Sequence, residues 1–141
     1  MLGVKPYITF KGNCAEAIDF YKQALGADEL FRQTFGESPM KEMGPADAIM
    51  HATIQVGDSH IMMCDDPRGD AAEAPSNISL AVGLDDAEQA RKIFNNLAEG
   101  GTVTMPIDKT FWAEAFGMLT DKFGINWMVN CEKAGADQAT A

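Results

Sequence analysis

Residues 110–130, TFWAEAFGMLTDKFGINWMVN, decide the fold. They predict two β-strands, 113–120 and 125–130, joined by the tight turn Asp121-Lys122-Phe123-Gly124. Gly124 can adopt the positive φ that such a turn requires, and the Asp121 side chain can bond to the backbone just ahead of it. A shorter version of the same pattern, HATIQVGDSHIMMC, lies upstream at residues 51–64. The sequence therefore predicts an internal repeat.

The elements around these two hairpins follow the same order in both halves. The first half predicts strand 4–10, helix 14–25 and strands 29–35, 49–56 and 60–64; the second predicts strand 78–84, helix 87–98, strand 102–107 and the two strands of the opening stretch. Asn13 with Glu16 has the spacing of a capping box, and Asp86 is the expected cap of the second helix. Gly26 and Gly100 are placed to end the two helices.

Matching residues recur at a constant spacing. A spacing of 73 aligns Asn13, Ala17, Phe20 and Tyr21 with Asp86, Ala90, Ile93 and Phe94. A spacing of 66 aligns Thr53, Ile54 and Met62 with Leu119, Thr120 and Met128. We therefore expect an α+β fold in which two tandem βαβββ modules form a curved eight-stranded sheet around a cleft, with the helices outside. We expect the 141 residues to form one domain: module one at about 4–64, a linker at about 65–76, module two at about 77–131 and a disordered tail at 133–141.

The composition limits the class of partner. The net charge is −10, which argues against nucleic acid and anionic membranes, because phosphate groups favour clustered Lys and Arg. The first ten residues, MLGVKPYITF, have no charged and apolar leader pattern, and no apolar run reaches the length of a membrane span. The three cysteines form neither a CxxC motif nor an even set. We expect a cytoplasmic protein with free thiols.

Several motifs carry a resemblance to a known family. They are PYITF at residues 6–10, AIDFY at 17–21, IMM at 61–63, TFW at 110–112, DKFG at 121–124 and WMVN at 127–130. With the repeat, they make the chain similar to the vicinal-oxygen-chelate superfamily of glyoxalases, bleomycin-resistance proteins and dioxygenases, and in particular to its PhnB-like group. The methyltransferase label given to some such sequences has no support here, since no Gly-rich loop follows a strand and opens a helix.

The resemblance also implies where a metal would bind. Glyoxalase-like members use His or Glu from the first and last strands of each half, and the aligned positions here are Pro6, Met62, Asn77 and Met128. None of these is a His or a carboxylate, and a thioether is a poor ligand for Mg, Mn or Zn. We therefore expect no metal cofactor. His60 and Cys64 share a strand face and could in principle hold a soft ion, but two ligands do not make a site.

A cleft of this kind without a metal suits a small organic ligand. The expected pocket comprises His60, Met62, Cys64, Asn77, Ser79, Asn126, Met128 and Asn130, with Phe111 and Trp112 at the rim. The alternative is that these side chains only fill the core. His60 is the candidate general base, because its unperturbed pKa is near neutrality, whereas His51 is expected near the loop.

Three functions follow from this pocket. The preferred one is a PhnB-like small-molecule-binding protein that forms a homodimer, as relatives of this kind do. The second is a metal-dependent lyase or dioxygenase of the same superfamily, and the third is a metal-free acid/base enzyme that uses His60.

Overall fold

The computed structural model describes residues 2–68 and 77–132. The chain divides into two compact units, Met1–Glu73 and Ala74–Ala141, termed unit 1 and unit 2. Unit 1 contains β1 (Tyr7–Phe10), α1 (Cys14–Leu25), β2 (Asp28–Thr34), β3 (Ile49–Val56) and β4 (Ser59–Asp65). Unit 2 contains β5 (Leu80–Leu84), α2 (Ala87–Ala98), β6 (Thr102–Asp108), β7 (Ala113–Thr120) and β8 (Asn126–Glu132). Both units have the predicted βαβββ order.

Each unit forms one four-stranded sheet with the same topology. The strand order is β1-β4-β3-β2 in unit 1 and β5-β8-β7-β6 in unit 2. The first strand of each unit pairs in parallel with the last, whereas the remaining pairs are antiparallel. A parallel pair requires a long crossover connection, which here includes the helix. The predicted α+β fold of tandem βαβββ modules is confirmed.

Each helix covers one face of the sheet in its own unit. Helix α1 packs against β2, β3 and β4, and α2 packs against β6, β7 and β8. Beneath the helices the side chains are buried at alternate positions, as with Ile61 and Met63 in β4 and Trp127 and Val129 in β8. Because successive strand residues point to opposite faces, the residues between them lie on the other side of the sheet. This second side is termed the open face, and most of its residues are half-buried.

Helix α1 is capped by a residue far away in the sequence. Asn13 occupies the N-cap position, but its side chain makes no capping hydrogen bond. The predicted capping box with Glu16 is therefore wrong. The carboxylate of Asp65, which ends β4, lies at this helix terminus and is 2% exposed. It accepts hydrogen bonds of 2.9 Å from the backbone N–H groups of Gly12, Cys14 and Ile49.

A carboxylate displaces the predicted cap because it is the stronger acceptor. Hydrogen bonds to an ionised group are roughly twice as strong as those between neutral groups. Asp65 belonged to the linker predicted at 65–76, and the structure instead places it in β4. Residues 69–76 of that linker and the tail at 133–141 lie outside the described residues.

In unit 2 the predicted caps and turns are present. Asp86 accepts from the N–H groups of Glu88 and Gln89, and so caps α2 as expected. Asp121 begins the β7–β8 turn and is 3% exposed. Its carboxylate accepts from the N–H groups of Phe123 and Ile125 and from the indole Nε1 of Trp127, the last at 2.8 Å. The turn closes at Gly124, where φ is +87°.

The internal repeat is confirmed in the helices but shifted by one residue in one strand. Met62 and Met128 occupy matching positions in β4 and β8, as predicted. Met62 pairs with Thr53, however, whereas Met128 pairs with Met118. Thr53 therefore corresponds to Met118 and not to Leu119. The β7–β8 turn is longer than the β3–β4 turn, and a shift of one residue moves a side chain to the opposite face of a sheet.

Among residues 2–68 and 77–132, no helix combines the length and the hydrophobicity that crossing a membrane demands.

Candidate ligand-binding site

Three adjacent strands bring polar side chains together on the open face of unit 1. The parallel pairing of β1 with β4 places Tyr7 beside Met62 and Thr9 beside Cys64. On the other side of β4, the antiparallel register of β3, continued by one residue, places His51 opposite Cys64. Directly opposed residues in an antiparallel pair have Cβ atoms about 5 Å apart. These five residues are the centre of the open face of unit 1.

His51 is held from both sides of its ring. The Tyr7 hydroxyl lies 3.0 Å from Nδ1, and the Thr53 hydroxyl lies 3.4 Å from Nε2. The neutral tautomer with its proton on Nε2 satisfies both contacts, since Tyr7 then donates to Nδ1 and Nε2–H donates to Thr53. The rings of Tyr7 and Phe31 also pack against the imidazole, with centroid distances of 5.7 and 5.9 Å.

Tyr7 stays protonated in this arrangement. Partial burial, followed by the neighbouring Cys64 through its charge and a hydrogen bond, raises the pKa of Tyr7 to about 12. Tyr7 is therefore a hydrogen-bond donor throughout the physiological pH range. The Cys64 sulfur also lies 3.7 Å from the Thr9 hydroxyl. Tyr7 thus forms a hydrogen-bonded pair with His51, and Cys64 forms a second pair with Thr9.

Aromatic side chains line part of the open face of unit 2. Trp112 precedes β7 and packs edge to face on Phe116, with centroids 5.4 Å apart. Phe111 packs on Trp112 in the same way at 4.8 Å and is itself 86% exposed. Phe116 lies opposite Asn130 in the β7–β8 pairing. The Oδ1 atom of Asn130 is buried and has no hydrogen-bond partner among the described residues.

The structure divides the predicted pocket residues between the two open faces. The open face of unit 1 carries His60, Met62 and Cys64. The open face of unit 2 carries Asn126, Met128 and Asn130. Asn77 and Ser79 precede β5, and Asn77 is exposed.

The Asn126 side chain is engaged in holding the fold. It accepts from the Thr120 hydroxyl at 2.8 Å and donates to the carbonyl of Ile78 at 3.3 Å. Asn130, in contrast, keeps a buried acceptor atom, Oδ1, that no described residue engages.

The pairing of the strands shows which residues lie beside Met62 and Met128, two of the four positions expected to hold a metal. Tyr7 lies beside Met62 on the open face of unit 1, and Ala81 lies beside Met128 on that of unit 2. These four residues offer a phenol, a methyl group and two thioethers. Such a set does not fit a hard divalent ion, which prefers imidazole and carboxylate ligands.

Within residues 2–68 and 77–132, no group of three or more His, Cys, Asp or Glu side chains is placed to hold a metal ion.

The sequence analysis did not predict the contact between Tyr7 and His51. Since β1, β4 and β3 are neighbours in the sheet, residues far apart in the chain become adjacent on one face. The alternation of β3 alone would have put His51 on the same face as Thr53, and the βαβββ topology would have put β1 beside β4. His60, by contrast, lies beside Gln55 at the far end of β4 from Cys64.

Each unit is a βαβββ module with a helix on one face of its sheet. This arrangement defines the class of protein. Residues 4–129 match the Glyoxalase/Bleomycin resistance protein/Dioxygenase superfamily. The chain belongs to this superfamily, and the expected family is confirmed.

Individual relatives agree with this assignment. The chain is 38% identical to protein YjdN of Escherichia coli K12, over 92% of this chain and 95% of the relative. The crystal structure of protein PA1353 from Pseudomonas aeruginosa is 43% identical, with a TM-score of 0.83 over 94% of this chain and 98% of that one. A PhnB protein from Bacillus cereus, described as a putative 3-demethylubiquinone-9 3-methyltransferase, has a TM-score of 0.77 over 92% of this chain and 99% of that one. At 22% identity, that likeness shows the fold alone.

Proposed function

We propose that this protein binds a small, uncharged organic ligand on the open face of unit 1 and does so without the metal that glyoxalase-like relatives use. The observation that carries the proposal is the hydrogen-bonded group of Tyr7, His51 and Thr53, which presents donors and acceptors on a half-buried sheet surface. A few fixed polar groups among apolar walls are typical of a small-molecule site.

The charge of the surface supports a neutral ligand. The residues around His51 on the open face are Tyr7, Thr9, Phe31, Gln33, Thr53, Met62 and Cys64, none of which is a Lys, Arg, Asp or Glu. A phosphonate or carboxylate ligand would call for Arg or Lys, which bind such groups with strong paired hydrogen bonds. The Met62 side chain beside Tyr7 adds a flexible apolar surface that can adapt to ligands of different shape.

A thermal-shift screen tests this proposal. Wild type, His51→Ala and His60→Ala would be heated with a metabolite library and, separately, with Mg²⁺, Mn²⁺, Ni²⁺ and Zn²⁺. A ligand in hundredfold excess over its Kd stabilises the native state by about 2.7 kcal/mol, which is a measurable rise in melting temperature. We expect an uncharged metabolite to raise the melting temperature of wild type and His60→Ala, but not of His51→Ala.

Two results would contradict the proposal. One is a shift that His60→Ala abolishes and His51→Ala leaves intact. The other is tight, stoichiometric binding of a divalent metal, which would indicate a metal-dependent lyase or dioxygenase instead.

A second candidate function is metal-free acid/base catalysis, and the Tyr7–His51 contact favours it. Because Nδ1 is the unprotonated ring nitrogen and accepts from Tyr7, His51 would take a proton from a ligand through the phenol, which gives its own proton to Nδ1 as it accepts another. His51, rather than the predicted His60, is then the general base. Turnover of an uncharged metabolite identified in the screen, lost in His51→Gln and retained in His60→Gln, would support an enzyme; binding without turnover would leave a binding protein.

We infer that the protein acts as a cytoplasmic homodimer. Apolar residues on the edge strands of both sheets support this: Phe31 in β2 and Val103 and Met105 in β6 are each more than 40% exposed. Light scattering coupled to size-exclusion chromatography should give a mass of about twice 15.2 kDa. A monomer at micromolar concentration would contradict the inference.

A further inference from the structure

One buried polar atom on the open face of unit 2 has no partner. The Oδ1 atom of Asn130 is buried, and no described residue donates a hydrogen bond to it. A buried acceptor that stays unpaired destabilises the native state, because water satisfies the same atom in the unfolded chain. Native proteins pair nearly all such atoms, so an unpaired one points to a missing donor. A ligand that carries an N–H or O–H group would supply that donor.

The strand beside Asn130 leaves a gap where a side chain would otherwise lie. Asn130 pairs with Gly83 of β5. A Cβ atom built on Gly83 would meet no described atom within 4 Å, so the space over this glycine is open. In unit 1 the matched pair is Thr9 and Cys64, whose Oγ1 and Sγ atoms lie 3.7 Å apart. Asn130 has no such contact, because the residue beside it has no side chain.

Aromatic rings lie on the other side of Asn130. Phe116 is opposite Asn130 in the β7–β8 pairing, and Trp112 packs edge to face on Phe116 with ring centroids 5.4 Å apart. Phe111 packs on Trp112 in turn and is 86% exposed. Aromatic side chains favour stacked or edge-to-face contacts with other rings. This surface therefore offers ring contacts and an unpaired amide to the same flat molecule.

We propose that the open face of unit 2 binds an uncharged planar lactam, a ring that carries N–H and C=O side by side. The ring N–H donates to Oδ1 of Asn130, and the ring carbonyl accepts from Nδ2 of the same amide. The χ2 torsion of asparagine is soft, so the amide can turn to make both hydrogen bonds. The ring lies over the gap at Gly83, with one edge against Phe116 and Trp112.

The charges near this site favour a neutral ring over an anionic one. Asp108 lies opposite Phe116 in the β6–β7 pairing, and Glu132 follows Asn130 on the same face of β8. Both carboxylates would repel an anion, whereas a lactam presents a donor and an acceptor without a charge. The site uses residues of unit 2 alone, so it does not depend on the ligand proposed for unit 1.

The test compares 2-quinolone, an uncharged planar lactam, with N-methyl-2-quinolone, which lacks the ring N–H. Isothermal titration calorimetry would measure the Kd of each compound for the full chain, and NMR would follow the side-chain amide signals of Asn130. We expect 2-quinolone to bind and to shift those signals. The N-methyl compound should bind at least tenfold more weakly, because it leaves the acceptor unpaired.

Three variants separate the site from the fold. Asn130→Leu should weaken the binding of 2-quinolone at least tenfold and raise the melting temperature of the free protein, because it removes the unpaired acceptor. Gly83→Val should abolish binding by filling the gap, and it should stay folded, since β-branched residues favour strands. Asn95→Leu is the matched control. Asn95 is exposed on α2, which covers the other face of the sheet, so its loss should leave the Kd unchanged.

Several results would overturn the proposal. They are no binding of 2-quinolone at millimolar concentration, equal Kd values for the two compounds, and an unchanged Kd in folded Asn130→Leu or Gly83→Val. A lower melting temperature for Asn130→Leu would mean that the amide is already bonded in the free protein, which contradicts an unpaired acceptor. Failure here is distinct from failure of the proposed binding function, because the thermal-shift screen compares variants of unit 1 only.

Discussion

The two units have the same strand order but differ in the chemistry of their open faces. The matched residues, unit 1 first, are Tyr7 and Ala81, Thr9 and Gly83, His51 and Phe116, and Cys64 and Asn130. Unit 1 has a phenol, an imidazole and a thiol where unit 2 has a methyl group, a benzyl group and an amide. Because the helix-facing residues supply the packing that each βαβββ module needs, the open-face residues can differ without changing the fold.

The units also differ in how they anchor their last strand. Each uses a buried aspartate, but Asp65 stands at the end of β4 whereas Asp121 stands in the turn before β8. Asp65 joins the β1–α1 connection and the start of β3 to the last strand of unit 1. The Asp121 carboxylate accepts from Phe123, Ile125 and Trp127, which belong to its own hairpin. Unit 1 therefore depends on a long-range anchor, and unit 2 on a local one.

The largest effect is expected from Asp65→Ala. Three backbone N–H groups lose their acceptor at a site that is 2% exposed, and each buried group left unpaired costs roughly 1–3 kcal/mol. We expect the free energy of unfolding, measured by urea titration, to fall by about 4 kcal/mol. Asp19→Ala is the control: its carboxylate is 70% exposed and forms only a 3.8 Å ion pair with Arg32, worth at most about 1 kcal/mol. A loss for Asp65→Ala no larger than that of the control would refute the long-range anchor.

A smaller effect, about 2–3 kcal/mol, is expected from Gly117→Ala in β7. An added Cβ would lie 2.7 Å from the Phe94 ring and 2.8 Å from the Cα of Ile107, and overpacking a core costs roughly this much. The matched residue of unit 1 is Ala52, which is fully buried. The difference arises because β6 has an irregular register between Met105 and Asp108, next to Ile107.

The reciprocal change sharpens this comparison. Ala52→Gly should lower the free energy of unfolding by about 1 kcal/mol, since a glycine weakens a strand and loses a buried methyl group. If Gly117→Ala proved stabilising in urea titration, the close approach of β6 to β7 would be wrong.

The anchor of unit 2 can be tested by Asp121→Asn. The amide keeps an oxygen for the N–H groups of Phe123 and Ile125, but it offers a second donor to the indole Nε1 of Trp127. Replacing one buried charge-assisted hydrogen bond by two opposed donors should cost about 2 kcal/mol. Because Trp127→Phe removes the same hydrogen bond, the double variant should lose less than the sum of the single losses. Additive losses in urea titration would mean that the bond contributes nothing.

The order of the elements and the bounds of both helices were predictable, whereas the contacts between strands were not. Apolar residues at helical spacing and a glycine after each helix mark 14–25 and 87–98, and the structure has the same bounds. Strand β1 begins later than the predicted 4–10, at Tyr7, because Pro6 has no N–H to donate to the sheet. These features depend on residues that are close together in the chain, so they can be predicted from the sequence alone.

The site depends on register, which the sequence did not determine. Two hairpins with turns of different length can be aligned in more than one way. The predicted alignment matched Thr53, which is half-buried, with Leu119, which is buried. The same uncertainty hid the pairing of Tyr7 with Met62. The cap that Asp65 provides could not be predicted either, because its partner Cys14 is 51 residues away in the chain.

The smallest expected effect compares the caps of the two helices. Asp86 accepts from two N–H groups at the start of α2, at 3.0 and 3.1 Å, so Asp86→Ala should cost about 1 kcal/mol in urea titration. Asn13 holds the same position at α1 without a side-chain bond, so Asn13→Ala should cost no more than a few tenths. In the Asp65→Ala background, however, Asn13 becomes the nearest side chain able to take over the cap. A loss from Asn13→Ala that appears only in that background would establish Asp65 as the residue that makes the local cap unnecessary, and equal losses in both backgrounds would argue that Asn13 caps the helix in the wild type.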